Sequence, residues 1–493
     1  MNRLLLLLLL LTPILCPAQQ LVLRGDYPDP SVVQVGDTYW ASATTSNWGP
    51  AYPLLRSRDG LRWTTVGSVF PKLPDWADYY FWAPEITYEK GRYYVYYSAH
   101  KKGGNLCIAV ASSDRPEGPY RDHGPLMCEP AGSIDAFPMR DDNGKLFLIW
   151  KEDLNSIGQA TPIWISEMNE ERTALIGEKK ELFRNDKPWE ANLVEGVSMI
   201  RRGGYYYAIY AAAGCCGRAC TYGTGVARAK NLLGPWEKYS GNPIITNTDQ
   251  WTCPGHGTPM EKDGRHYFLY HAYDKQTSVY TGRQGLLQEF TFTPDGWIRF
   301  LDSVQTQPSE PLVDISESFK GRSLGHQWQW SVFQRPAYAL RGGELRLTAG
   351  AHPSGTFLGH KTLAGDYTAT VRLHRKKSTA FPGIALVGDE SNLVTAYLQG
   401  DTLKVVRTRE GKDSVLQVLL VDAGKKPWLQ LQVRNGKDIQ FAVGFQKGTL
   451  RPVLASPYDG SYLPPWDRAL RIGLVARGDS GRVAVFDHFL LEH

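Results

Sequence analysis

Gly91-Arg92-Tyr93-Tyr94-Val95-Tyr96-Tyr97 reads as a turn glycine followed by an aromatic-rich, alternating strand. Aromatic and β-branched residues suit a pleated surface, and the glycine ahead of them supplies the positive φ that a tight hairpin needs. The phrase recurs as Gly36-Asp37-Thr38-Tyr39-Trp40 and as Gly144-Lys145-Leu146-Phe147-Leu148-Ile149-Trp150. It returns as Gly204-Tyr205-Tyr206-Tyr207-Ala208-Ile209-Tyr210 and as Gly264-Arg265-His266-Tyr267-Phe268-Leu269-Tyr270. The five glycines are separated by 55, 53, 60 and 60 residues. Periods of about 50 residues with several strands each are what a β-propeller blade requires, so five periods predict five blades. Each unit continues into a second strand pair, as at 106–112 and 223–229, often closed by a Gly-Pro-aromatic turn such as Gly118-Pro119-Tyr120. The alternative is an ordinary sandwich with regularly spaced turns.

Just upstream of each repeat glycine, on what would be the innermost strand, stands one titratable residue. These are Asp29, Glu85, Asp135, Glu195 and His256, lying 7, 6, 9, 9 and 8 residues before their glycines. Inner strands line a propeller's channel, so five such groups converge near one mouth. Charged groups on core strands are costly unless paired, hydrated or functional, and their convergence marks a candidate site. Glycoside hydrolysis by inversion needs such a set: one carboxylate as base on water and one carboxylic acid to protonate the leaving oxygen. A third carboxylate beside the acid would help keep it protonated. Phosphate-cradling loops, HExxH and GxSxG motifs are missing from the sequence, so phosphoryl transfer, zinc proteolysis and serine-hydrolase chemistry have no support.

These residues also carry a resemblance. Tyr27-Pro28-Asp29-Pro30-Ser31, Trp82-Ala83-Pro84-Glu85, Ser133-Ile134-Asp135, Val194-Glu195-Gly196, Gly255-His256-Gly257 and Tyr270-His271-Ala272-Tyr273 resemble, in order, the signatures of family 43 glycoside hydrolases. The resemblance runs from about Asp26 to the Asp295-Gly296-Trp297 turn. It implies a five-bladed, inverting enzyme acting on arabinose- or xylose-containing glycans of plant origin, with no cofactor required for the chemistry. Asp29 would then be the general base, Glu195 the general acid and Asp135 the residue that tunes and orients the acid. Arg283 resembles the family arginine that reaches the innermost sugar. His256 resembles the axial histidine that, in some members, helps hold a calcium ion in the channel. Glu85, usually aspartate in this motif, is placed among the substrate-binding residues, with support of the pocket as its plainer role. Trp48, Phe81 and Trp82 are candidates for a sugar platform, since aromatic faces suit apolar sugar faces. The expected activity leans to α-L-arabinofuranosidase over β-xylosidase; a non-catalytic glycan-binding propeller is the competing class.

The rest of the chain sets the context. Near Gln307-Pro308-Ser309-Glu310-Pro311 the period stops, and short alternating strands such as 343–347, 367–373, 402–407, 428–433 and 483–491 read as a β-sandwich. Residues 318–330 and 383–390 are similar to the concanavalin-like (jelly-roll) module behind many family 43 xylosidases, which packs on the propeller and can lend a loop to the active-site rim. The expected organisation is all-β: a signal over 1–18, a propeller over 19–312 and a sandwich over 313–493. Arg3, the Leu4–Leu11 run and Cys16-Pro17-Ala18 read as a secretory signal cut after Ala18, too short to span a bilayer. Export to a bacterial periplasm or beyond is expected, with acylation of Cys16 the weaker reading because Leu15 precedes it. In an oxidising compartment the remaining cysteines favour crosslinks. Cys107 and Cys128 form a natural pair, while Cys215, Cys216 and Cys220 read as crosslinks near the rim, one reaching Cys253, ahead of a zinc site. A net charge of +5 over 493 residues, without a basic cluster, excludes a nucleic-acid surface. Oligomeric state is not legible.

Overall fold

The computed structural model describes residues 19–301, 312–421 and 426–493. The expected signal, including Cys16, lies outside the described residues, as does most of the linker before residue 312. Four four-stranded antiparallel sheets and one of five strands form the first half of the molecule. Their innermost strands are Ser31–Val35, Trp82–Glu89, Ser133–Arg140, Val194–Arg202 and Trp251–Lys262, which touch one another in cyclic order and so close a ring. The repeat glycines make the hairpins to the second strands, with φ of 57°, 82°, 82°, 77° and 73°. A Cβ at any of them would meet nothing within 4 Å, so it is the backbone angle that selects glycine there. The ring is closed by a strand outside the repeat: Gln20–Leu23 pairs antiparallel with Arg283–Phe292 and completes the fifth blade.

The alternation within each repeat explains the aromatic runs. Successive side chains of a strand point to opposite faces, so Tyr96 packs toward the third blade while Tyr97 packs toward the first. Leu148 and Ile149 divide in the same way between the second and fourth blades, and Tyr206 and Tyr207 between the third and fifth. Both faces of every blade are therefore core, and five apolar clusters join five neighbouring pairs of blades.

Residues 312–493 build two stacked sheets, one of nine strands and one of six. Leu345, Val371, Leu431 and Phe441 of the first interleave with Leu386, Val394, Val405 and Leu474 of the second in one apolar core. Expected strands appear as Glu344–Thr348, Tyr367–Leu373, Thr402–Arg409, Trp428–Arg434 and Val483–Glu492.

The sandwich is bonded to the propeller. Trp48–Gly49 pairs antiparallel with Trp330–Ser331. Trp48 is 2 % exposed, packs 6.1 Å from the Phe357 ring and lies under the Arg471 guanidinium, which in turn holds Asp26 at 3.2 Å. Trp48 is thus a domain-junction residue; its expected place on a sugar platform is incorrect because its ring is buried in that junction. Phe81 is likewise fully buried, in the core between the first two blades, and is not a platform either. Trp48→Ala removes a large side chain from a closed junction and is expected to destabilise the protein by about 3–5 kcal/mol. A shift of the urea midpoint without loss of the pocket's activity in native buffer checks it.

Candidate active site

Four of the inner strands are distorted at or near their titratable residue, and in the first blade Asp29 stands two residues ahead of a regular strand. Positive φ occurs once per blade beside or at that residue: Asp29 (50°), Ala83 (45°), Asp135 (60°), Gly196 (61°) and His256 (33°). Register shifts fall at Trp82/Glu85, Ile134/Phe137, Glu195/Ser198 and between Thr252 and Gly257. A bulge re-aims a side chain that regular pairing would send between blades, which is how a buried strand can present an acid to the channel. At Gly196 the distortion is doubly restricted, because a Cβ would sit 2.7 Å from the His256 ring.

The result is a cavity of about 150 Å³ whose walls include Asp29, Asp135, Glu195, His256 and Arg283. Of the residues singled out in the sequence, Trp82 also lines it. Glu85 does not: it is buried beneath the cavity, accepts a hydrogen bond from Thr258 at 3.1 Å, and burial raises its carboxyl to about 8. That makes Glu85 a neutral strut of the channel instead of a sugar contact.

Asp29 is the most strongly held anion. Thr44 donates to its Oδ2 at 2.6 Å, and Arg283, His256 and His271 stand 3.4, 3.4 and 3.3 Å from its Oδ1. Burial alone would raise its pKa, but the Arg283 guanidinium and His256 outweigh burial and hold it well below the carboxylate range. His271 accepts the Asp29 backbone N–H on Nδ1 at 3.0 Å, and burial lowers it to about 4, so it is a neutral orienter at pH 7. Asp135 is pushed up, by burial first and by Glu195 as a like charge. Its Oδ2 accepts the Gly196 N–H at 2.9 Å, fixing the peptide that carries Glu195. Glu195 accepts from Lys151 Nζ at 2.5 Å on one oxygen and from the Tyr222 hydroxyl at 2.8 Å on the other. Lys151 also bonds Asp153 at 2.9 Å, and it is 1 % exposed.

His256 is buried, which lowers its pKa, yet the carboxylates of Asp135, Asp29 and Glu195 win and raise it to about 9. Its Nδ1 faces Asp29 and, at 4.0 Å, Asp135. Calcium prefers six to eight oxygens, whereas the His256 ring turns a nitrogen to the carboxylates of Asp29 and Asp135. Among the described residues no cluster of three or more acidic, histidine or cysteine side chains is placed to hold a metal. The donors present do not fit calcium bound through this nitrogen, and no step below uses one.

Sequence reasoning missed several walls. Lys151 follows Trp150, the last residue of the quoted repeat, and its position opposite Ile134 on the blade's second strand was a usable signal. Tyr222 carried no distinguishing pattern; His271, which stands behind the wall against Asp29, lay within the quoted Tyr270-His271-Ala272-Tyr273 signature but was given no role. Trp466 and Asp467 come from a sandwich loop: Asp467 accepts Arg283 Nη2 on its carbonyl at 3.0 Å and bonds Trp82 Nε1 and Ser46 through its carboxylate. The cysteines pair as Cys107–Cys128, Cys215–Cys216 and Cys220–Cys253. The first was expected as a pair; a bond from the 215–220 cluster to Cys253 was expected without saying which cysteine makes it, and the bond between neighbours 215 and 216 was not foreseen. That cystine forms part of the cavity wall, and its loop braces the sandwich through Arg218 Nη2, which donates to the Ser461 carbonyl at 2.6 Å.

Gly196→Ala is expected to displace His256 and abolish catalysis while the fold persists, read by activity against circular dichroism. His256 is raised in the folded state, so its stabilisation is complete below about 6.5 and is lost as pH climbs through about 9. The melting-temperature gap between wild type and His256→Gln should therefore shrink over that window.

A model described as glycosyl hydrolases family 43 matches residues 18–298, and one described as the β-xylosidase C-terminal concanavalin A-like domain matches 316–491. A xylan 1,3-β-xylosidase from a Vibrio species is 29% identical over 274 residues, 51% of this chain and 49% of the relative. A non-reducing end α-L-arabinofuranosidase from Bacteroides ovatus is 24% identical over 446 residues, 80% and 78% of the two chains. The match spans about half the length of the first curated relatives. The crystal structure of a mutant of the GH43 protein BlXynB from Bacillus licheniformis superposes with a TM-score of 0.83 at 25% identity, over 96% of this chain and 100% of that one. With a propeller matched over more than half of 493 residues and its customary module behind it, the chain belongs to glycosyl hydrolase family 43.

Proposed function

We propose that the protein is an exported, inverting exo-glycosidase that removes a terminal pentose, xylosyl or arabinofuranosyl, from plant cell-wall glycans. The observation that carries this reading is the unequal treatment of the two outer carboxylates. Asp29 is held ionised by Arg283 and His256, as a base on water must be. Glu195 instead lies between two donors, Lys151 and Tyr222. They stabilise the carboxylate that remains once its proton has gone to the leaving oxygen.

Asp29 and Glu195 hang from non-adjacent blades, with the fifth blade's His256 between them. Inversion needs roughly 6.5–9.5 Å between the carboxyls so that water fits beside the sugar, and placement across the channel suits that requirement. Asp135 acts through the Gly196 peptide and through its charge, orienting Glu195 without touching the reacting bond. Arg283, clamped between Asp29 and the Asp467 carbonyl, presents its remaining donors to the sugar in the cavity. Trp82 and Trp466 supply apolar faces.

A cavity bounded by a cystine loop on one side and the module's loop on the other accepts one sugar at a chain end, which supports the exo reading. Relatives named xylosidase and arabinofuranosidase support the pentose class. Three disulfides suit an oxidising compartment. One relative, from Cellvibrio japonicus, is named an extracellular exo-α-(1→5)-L-arabinofuranosidase. Among the described residues no helix is long and apolar enough to cross a membrane.

Glu195→Ala is expected to lower kcat about 10²–10⁴-fold on oligosaccharides, and far less on aryl glycosides whose leaving group needs no proton. Asp29→Ala should be inactive on both. Parallel assays on aryl β-D-xyloside and aryl α-L-arabinofuranoside identify the sugar. NMR of the first-released product should show the opposite anomer; a retained configuration would overturn the base assignment of Asp29.

A further inference from the structure

Two of the large exposed aromatics in the sandwich stand over the propeller at the same seam. Trp466 is 51% exposed and Phe333 is 54% exposed. They come from different loops, yet one continuous run of rings joins them through the propeller. Trp466 meets the Trp82 ring at 5.8 Å, and Trp82 stacks on Tyr80 at 4.3 Å with 25° between planes. Tyr80 meets Tyr79 edge-on at 4.7 Å, and Tyr79 meets Phe333 at 5.9 Å. One end of this run lies in the catalytic cavity, since Trp82 and Trp466 line it. At the other end, Phe333 forms part of a second groove of about 380 Å³ along the junction, with Lys72, Asp78, Lys102, Trp330 and Arg335 among its walls.

The run is held in place by backbone and neighbours. Tyr80 has φ of +54°, an outlier for a bulky residue, and its N–H is captured by Asn47 Oδ1 at 3.0 Å. That conformation turns its ring onto Trp82. Tyr79 is backed by the His100 ring at 4.0 Å and 14°, and His100 is itself fixed by Asp78 at 2.8 Å. Strained backbone persists where the surrounding structure over-determines it, and it clusters at functional positions. Exposed aromatics beside polar groups mark a binding surface for a ligand with both apolar faces and hydroxyl edges. A lipid or apolar peptide would meet the charges of Lys72, Asp78, Lys102 and Arg335. A neutral pyranose chain offers its C–H faces to the rings and its hydroxyls to those side chains.

We propose that the band Trp82–Tyr80–Tyr79–Phe333 and the groove beyond it bind the glycan main chain on the leaving-group side of the scissile bond. The site would take a β-linked pyranose polymer and would lie across both domains. This rests on the glycosidase reading, because the band begins in the catalytic cavity.

The test uses the full chain with Phe333→Ala, an exposed position outside the catalytic cavity, and Phe333→Trp as the conservative variant. Loss of one aromatic contact worth about 1 kcal/mol lowers kcat/KM on xylohexaose about fivefold through KM. Hydrolysis of the aryl pentoside stays unchanged, and Phe333→Trp restores the hexasaccharide. Equal losses on both substrates, or no change on either, overturn the proposal. Calorimetry with xylohexaose on Glu195→Ala, with and without Phe333→Ala, separates the two readings. If wild type cleaves no glycoside, the catalytic assignment has failed, and weakened xylohexaose binding in the double variant still supports the groove. Equal affinity in the two variants, or no binding by either, overturns the groove.

Discussion

Three carboxylates share one small, largely buried cavity, and the rest of the site follows from the need to balance them. Unpaired, they would repel one another. Lys151, His256 and Arg283 are drawn in as counter-charges; Lys151 and Arg283 are buried as deeply as the acids they serve, and His256 is somewhat more open. Those cations need partners in turn: Lys151 reaches Asp153, and Arg283 reaches the Asp467 carbonyl. The network therefore spreads from the channel through a second strand and across the domain junction. The sandwich is coupled to the chemistry because a guanidinium beside Asp29 has donors left over.

The propeller was legible because its blades repeat. A glycine at each first hairpin and a strand that alternates between two cores leave a periodic trace that needs no contact information. The distorted inner strands were legible for a related reason: a polar residue at one place in five apolar strands stands out. What distinguishes the five from one another is not periodic. Glu85 and Glu195 look alike in the sequence, yet one lies beneath the cavity against Thr258 and the other faces it between Lys151 and Tyr222.

The aromatic platform shows the limit most clearly. Trp48, Phe81 and Trp82 sit within one stretch of rings and turns, and composition cannot rank them. Position relative to the sandwich does so: Trp48 pairs under it, Phe81 is sealed between blades, and Trp82 is left at the rim. Trp466 escaped notice for the same reason, since its role depends on a loop 384 residues further along the chain than Trp82. Likewise, two adjacent cysteines bonded to each other leave no spacing to interpret.

The strand Gln20–Leu23 carries a cost that falls during synthesis. Its partner, around Gly285, lies more than 260 residues away. Pairing across such a loop is entropically expensive and slow, and it cannot begin until the fifth blade exists. Until then Arg283–Phe292 is an unpaired edge on an otherwise closed set of blades, open to any other extended chain. Arg283 and the backbone of Tyr27, which bonds the Arg283 carbonyl, meet when that edge is covered. The base of the catalytic pocket and the last seam of the ring are therefore completed in one event, so a chain caught before closure is both sticky and inert.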